Sequence, residues 1–421
     1  MKKVIVYSLL LLLGLGLSQL VPSWLGASYG AVAHVVKFLT MVALAFIMIH
    51  VGYEFDIDRS NLRAYGWDYV VAATAAAFPW IFCAAYFILL LSPAGAWSTW
   101  DGWRDALLAG RFAAPTSAGV LFSMLAAAGL ATTWVFRKTR ILAIFDDLDT
   151  VLLMIPLKML IVGLAWQLGI IVIVMVAQLW LAWRYLHRWH LPVRWPWVLS
   201  YAAGIAIVCE LIYYASLGLD ELVPIHIEVL LPAFVLGCMI ARPPGHETEA
   251  AAHDQFECPA ERRAGTVISA VFMVLVGLSM PAITGVGAPE PVAQADNQML
   301  EAYLPGTGAA AVAKPQPLTL SWAALAGHVL LVTLVANLGK MFPVFCYRRE
   351  APWRHRLAVA VAMFPRGEVG AGVLIISLSY GIGGPMITVA MFSLALNLLL
   401  TGVFILIVRQ LIGREPAAAP N

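Results

Sequence analysis

The chain has 421 residues, 62% of them apolar and only 12% charged, with a net charge of +2 and a mean hydropathy of +0.85. Soluble proteins carry about 45–50% apolar and about 25% charged residues, so a soluble multidomain protein is excluded, as are disordered, collagen-like and coiled-coil chains. A polytopic membrane protein remains, and the near-neutral charge gives no reason to expect a nucleic-acid partner.

A membrane span needs about 20 mostly apolar residues. In chain order the hydropathy predicts twelve: 4–21, 31–52, 69–91, 104–128, 141–162, 164–186, 195–217, 225–242, 265–284, 321–347, 356–379 and 384–409. The opening Met1-Lys2-Lys3 and apolar run resemble a signal peptide, but the repeat pattern below needs this segment as an uncleaved first span. Basic residues test the count. Loops on one side hold 19 of the 26 Lys and Arg residues, among them Lys138 and Arg140; the other side holds two, Arg104 and Lys314, and five lie inside spans. That bias predicts both termini in the cytoplasm. Two longer loops, 243–264 and 285–320, lack periodicity and read as flexible connectors, and 411–421 as a cytoplasmic tail. The five cysteines show neither paired nor metal-ligand spacing, and no cofactor motif occurs.

Ionisable groups inside a bilayer cost at least about 2.5–3.5 kcal/mol each and mark pathways. They concentrate in Phe145-Asp146-Asp147-Leu148-Asp149 of span five, Lys340 of span ten and Pro365-Arg366-Gly367-Glu368 of span eleven. Asp146 lies roughly 9 Å past Arg140 and Lys340 roughly 12 Å before Arg348, at about 1.5 Å per residue. The acid and the base therefore share a depth, and an ion pair is geometrically allowed. Adjacent aspartates point about 100° apart on a helix, so one can pair with a lysine while the other faces water. Two neighbouring carboxylates do not readily ionise together, so one holds a proton until a cation arrives. Such a group is the minimum device for exchange. Asp149, one turn beyond Asp146, is a candidate auxiliary member.

Spans four and eleven break near their centres. The first contains Gly110, Arg111, Pro115, Thr116, Ser117 and Gly119; the second contains Pro365, Arg366, Gly367, Glu368 and Gly370. Proline removes a donor and glycine weakens what remains, and in lipid such breaks survive only inside protein or beside a cavity. Each break is the fourth span of five, counted from span one and from span eight. The predicted fold is therefore an all-α membrane protein with inverted five-helix repeats and two crossing discontinuous helices. Residues 1–162 form the first repeat, 163–218 two linking spans, and 219–410 the second repeat.

These motifs resemble the monovalent cation:proton antiporters of the bacterial sodium/proton exchanger type. The resemblance rests on Asp146-Asp147, Ala114-Pro115-Thr116-Ser117, Lys340 and Pro365-Arg366-Gly367-Glu368-Val369, with weaker echoes at Gly52-Tyr53-Glu54-Phe55-Asp56 and Val274-Leu275-Val276-Gly277-Leu278. It implies Asp147 as the main carboxylate binding the transported cation and proton, with Asp146 as the partner of Lys340. It implies Arg366 and Glu368 as supports of the crossing or tuners of pH response. It also implies exchange of protons for Na+, Li+ or K+, electrogenic because two acids occupy the motif, in a homodimer embedded in lipid of the bacterial inner membrane. Pro115 precedes Thr116-Ser117 here, whereas the family often has Thr-Ser-Pro order. No Gly-x-Gly-x-x-Gly fingerprint follows a strand, so the nucleotide-binding domain of many relatives is not expected. An intramembrane aspartyl protease would place its two aspartates on separate helices, and His-Glu-x-x-His is absent. The alternatives on the same architecture are potassium/proton efflux and sodium-coupled uptake of an organic anion.

Overall fold

The computed structural model describes residues 2–26, 29–55, 62–93, 95–162, 166–217, 227, 229–241, 259–279, 321–379, 382 and 384–413. Some side chains within these stretches, including those of Asp147 and Glu368, fall outside the described part. All regular elements among the described residues are helices. They are α1 (Lys2–Leu25), α2 (Tyr29–Glu54), α3 (Leu62–Leu90), α4 (Trp100–Gly110), α5 (Ala118–Ala127), α6 (Trp134–Val162), α7 (Trp166–Arg184), α8 (Trp195–Leu217), α9 (Leu230–Met239), α10 (Pro259–Leu278), α11 (Trp322–Gly339), α12 (Trp353–Ala362), α13 (Glu368–Ser379) and α14 (Pro385–Ile412). Lys2–Pro22, Tyr29–Tyr53, Tyr65–Leu90, Trp195–Leu217, Trp322–Phe345 and Pro385–Ile412 are each long and apolar enough to cross a membrane unaided.

Local chemistry moves several boundaries away from the hydropathy pattern. Thr133 caps α6, its Oγ1 accepting from the Phe136 amide at 3.2 Å, so the helix starts at Trp134 rather than 141. Lys138 and Arg140, expected in a loop, therefore lie on α6 and are buried. Pro259 and an acidic residue in the first turn, Glu261, favour a helix start at 259. The last six residues of the expected 243–264 connector are thus helical; 243–258 and the whole of the expected 285–320 connector lie outside the described residues. Span ten is not one continuous helix. Gly339 ends α11, Lys340 is its C-cap, and Pro343 belongs to a 3₁₀ turn over Phe342–Phe345.

The helices associate in two groups, which meet where α1 packs against α14. One joins α3 to α4, α6 and α11, and α14 to α11 and α12; the other joins α1 to α10 and α2 to α8, α9 and α10. Lipid tails offer no hydrophobic drive for helices to pair, so close backbone approach has to supply the attraction. Glycines allow it. A methyl group at Gly14 would strike the Val274 backbone and one at Gly52 the Phe234 backbone, while Gly277 and Gly237 answer them from the opposite helices. The motif echoes around Gly52 and Gly277 are therefore packing positions. Leu9, Ile173, Val176, Leu211, Leu330 and Leu334 stay exposed, a lipid-facing surface that would be a liability in water. Lys37, inside α2, pairs with Glu210 of α8 at 2.9 Å. Cys83, Cys209, Cys238 and Cys346 are buried thiols.

Candidate functional site

The two broken helices meet. Past α4 the chain makes a 3₁₀ turn at Arg111–Ala113 and runs extended until Ser117 precedes α5. Past α12 the Met363 and Phe364 amides close a last tight turn on the Ala360 and Val361 carbonyls, and the chain then runs without regular structure through residues 365–367 until α13 begins. The segments cross where the Ser117 amide donates to the Pro365 carbonyl at 2.9 Å and Thr116 Oγ1 donates to the Met363 carbonyl at 3.1 Å. Gly367 packs closely there: a Cβ would stand 3.0 Å from Ser117 Oγ, and the serine would have to shift to admit it.

A break exposes carbonyls that need donors in a medium without water. Two buried cations supply most of them. Arg366 donates through Nε to Ala113 O at 2.9 Å, through Nη2 to Ala336 O at 3.0 Å, and through Nη1 to Asn337 Oδ1 at 2.7 Å. Oriented to satisfy its own amide, Asn397 donates to Phe364 O at 3.1 Å and accepts from Arg366 Nη1 at 2.7 Å. Arg366 thereby ties both breaks to α11 and α14. Lys340 serves the other segment, donating to Ala114 O at 2.6 Å and Thr116 Oγ1 at 3.0 Å.

Lys340 also makes the ion pair that matching depths allowed. Its Nζ lies 3.0 Å and 2.9 Å from the two carboxylate oxygens of Asp146, and both side chains are 0% exposed. Asp146 Oδ2 accepts a further bond from the Thr116 amide at 2.7 Å. The pair therefore spans α6, the α4–α5 break and the end of α11, where a cation complements the helix dipole. Breaking such a pair leaves an uncompensated buried charge, at a cost of about 3–5 kcal/mol.

Of the site residues expected from sequence, Asp146, Lys340, Pro115, Thr116, Ser117, Pro365, Arg366 and Gly367 come together here. Asp147 is on α6 and Glu368 opens α13, but their side chains lie outside the described part. Asp149 is buried on α6, and its side chain makes none of the Lys340 contacts described above. Three participants escaped the charge search or received no role in it. Asn337 and Asn397 are neutral, so they barely disturb hydropathy. Arg111, fully buried, stacks its guanidinium 4.7 Å from the Trp80 ring and donates to the Asp149 carbonyl at 3.3 Å. Its place beside Gly110 in a broken span was the available signal.

Crossing extended segments buried among helices, with an ion pair and an arginine brace at the crossing, define an all-α membrane transporter built around discontinuous helices. A family model described as sodium/hydrogen exchanger, transmembrane, matches residues 3–410. The chain belongs to that family, the monovalent cation:proton antiporters, and is a multi-pass membrane protein of cation/proton exchange. No curated protein matches it.

Proposed function

We propose that the chain exchanges protons for a monovalent cation, Na+ ahead of Li+ or K+, by electrogenic alternating access at Asp146 and Asp147. The observation that carries this reading is the oxygen nest around Lys340 Nζ: Ala114 O, Thr116 Oγ1 and both Asp146 oxygens lie within 3.0 Å. Hard cations are bound by such carbonyl, hydroxyl and carboxylate oxygens. An ammonium in that nest is a tethered competitor for a monovalent cation.

The cycle balances as follows. With cargo absent, Lys340 is protonated and paired with Asp146, and Asp147 carries a proton. An incoming cation takes the carboxylates, Asp147 releases its proton, and the displaced Lys340 releases another. Two protons leave for each cation gained, so one net charge moves per cycle. Return of the cation to the other side restores both protons. Asp149 is an auxiliary acid one turn away, and Arg366 and Glu368 support the crossing.

The division into inverted repeats, 1–162 and 219–410, about linking spans 163–218 belongs to the same proposal, as do a homodimer, placement in a bacterial inner membrane and cytoplasmic termini. The two breaks support the repeat division, and the one-sided distribution of basic residues supports the orientation of the termini. Proton flux in proteoliposomes tests the function. An inward Na+ gradient should drive proton efflux, and Asp147→Asn should abolish it. Sodium-coupled uptake of an organic anion without proton movement would favour the symporter instead.

A further inference from the structure

A second buried charge cluster links the helices that carry the first. Lys138 of α6 lies 3.1 Å and 3.2 Å from the two oxygens of Asp68 on α3, and 3.0 Å from Glu350 beyond α11. Tyr347 donates its hydroxyl to Asp68 Oδ1 at 2.7 Å, and Lys138 Nζ sits 4.5 Å from the Tyr347 ring centre. Trp134 meets the same ring edge-on at 6.1 Å. Asp68, Lys138 and Tyr347 are buried; Glu350 is the more exposed member.

The spacing connects the clusters. Lys138 and Asp146 are eight residues apart on α6, about 12 Å at 1.5 Å per residue. Lys340 and Tyr347 are seven residues apart on the connection from α11 to α12. So α6 and this connection are joined twice, with the lysine on opposite partners each time, and α3 packs against both α6 and α11. The connection is not an inert turn. Tyr347 adopts a left-handed backbone, with φ of 46°, and a bulky residue holds that conformation only where its surroundings impose it. Here the buried hydroxyl and the ring contacts impose it. Nearby, Arg356 secures Val344 O at 2.7 Å.

We propose that Lys138, Asp68 and Tyr347 form a positioning node that holds α6, which carries Asp146, against the end of α11 when the cation has displaced Lys340, and so sets the affinity for the transported cation. The node does not touch cargo. It keeps α6 and the end of α11 aligned during the part of the cycle when the Lys340–Asp146 pair is open. This inference rests on the reading of that pair as part of the transport site.

Tyr347→Phe removes the hydroxyl while keeping the ring, and Asp68→Asn removes the charge while keeping the shape. Each is made in the full chain and compared with wild type in two measurements. In proteoliposomes, the KM for Na+ should rise roughly tenfold with kcat within about twofold, the scale of one lost buried hydrogen bond to a charged group. In detergent, amide exchange across residues 340–349 should quicken by about the same factor. Unchanged KM and unchanged exchange in Tyr347→Phe overturn the node. So does a fall in kcat alone, which marks a structural contact. If Asp68→Asn does not fold, Tyr347→Phe decides alone. A wild-type protein that moves no protons with any cation refutes the proposed function, while the exchange measurement still judges the node.

Discussion

Replacing Lys340 by methionine keeps most of the side-chain volume and removes the charge. The change deletes both contacts to Asp146 and those to Ala114 O and Thr116 Oγ1. Asp146 is then a fully buried carboxylate retaining the Thr116 amide, and loss of one partner from a buried ion pair costs about 3–5 kcal/mol. With an unfolding entropy of about 2.1 cal/mol/K per residue, a chain of 421 residues loses roughly 4–5 °C of Tm for about 4 kcal/mol. Asp146→Asn strands the ammonium and should cost a similar amount. The double variant removes both charges, and its loss should be well below the sum, with a coupling of at least about 1.5 kcal/mol. Thermal unfolding of the four purified proteins in one detergent gives the cycle. Additive losses, within about 0.5 kcal/mol, would refute a direct buried pair.

Other outcomes follow from the crossing. Arg366→Lys replaces a planar fork serving Ala113, Ala336 and Asn337 with a single ammonium; Tm should fall by a few degrees, and transport should fall further than stability. Gly367→Val puts side-chain atoms against Ser117; exchange should be lost while circular dichroism still shows helical content. Asn397→Leu leaves the Phe364 carbonyl without its amide donor, a loss of about 1–3 kcal/mol readable in Tm.

Much of the site was legible because charge is scarce in this chain. Asp146 and Lys340 stood out against apolar helices, and two depths counted from flanking arginines were enough to allow their pairing. Pro115 and Pro365 marked the breaks for the same reason, since proline is conspicuous at the centre of a span. Asn337 and Asn397 were not legible, because neutral amides carry little hydropathy signal and reveal themselves only by what they bond. Lys138 was misplaced for a different reason. Apolar content locates where a helix enters lipid, whereas Thr133 determines where the helix begins. The early end of α11 had its clues in Gly339 and Pro343, but long apolar stretches on both sides concealed them.

Proton flux in proteoliposomes containing wild type or Asp147→Asn tests the central claim most directly. Wild type should move protons against an imposed Na+ gradient, with the rate responding to membrane potential, and Asp147→Asn should move none above empty liposomes. Cation-dependent proton movement retained in Asp147→Asn would contradict exchange at the paired aspartates.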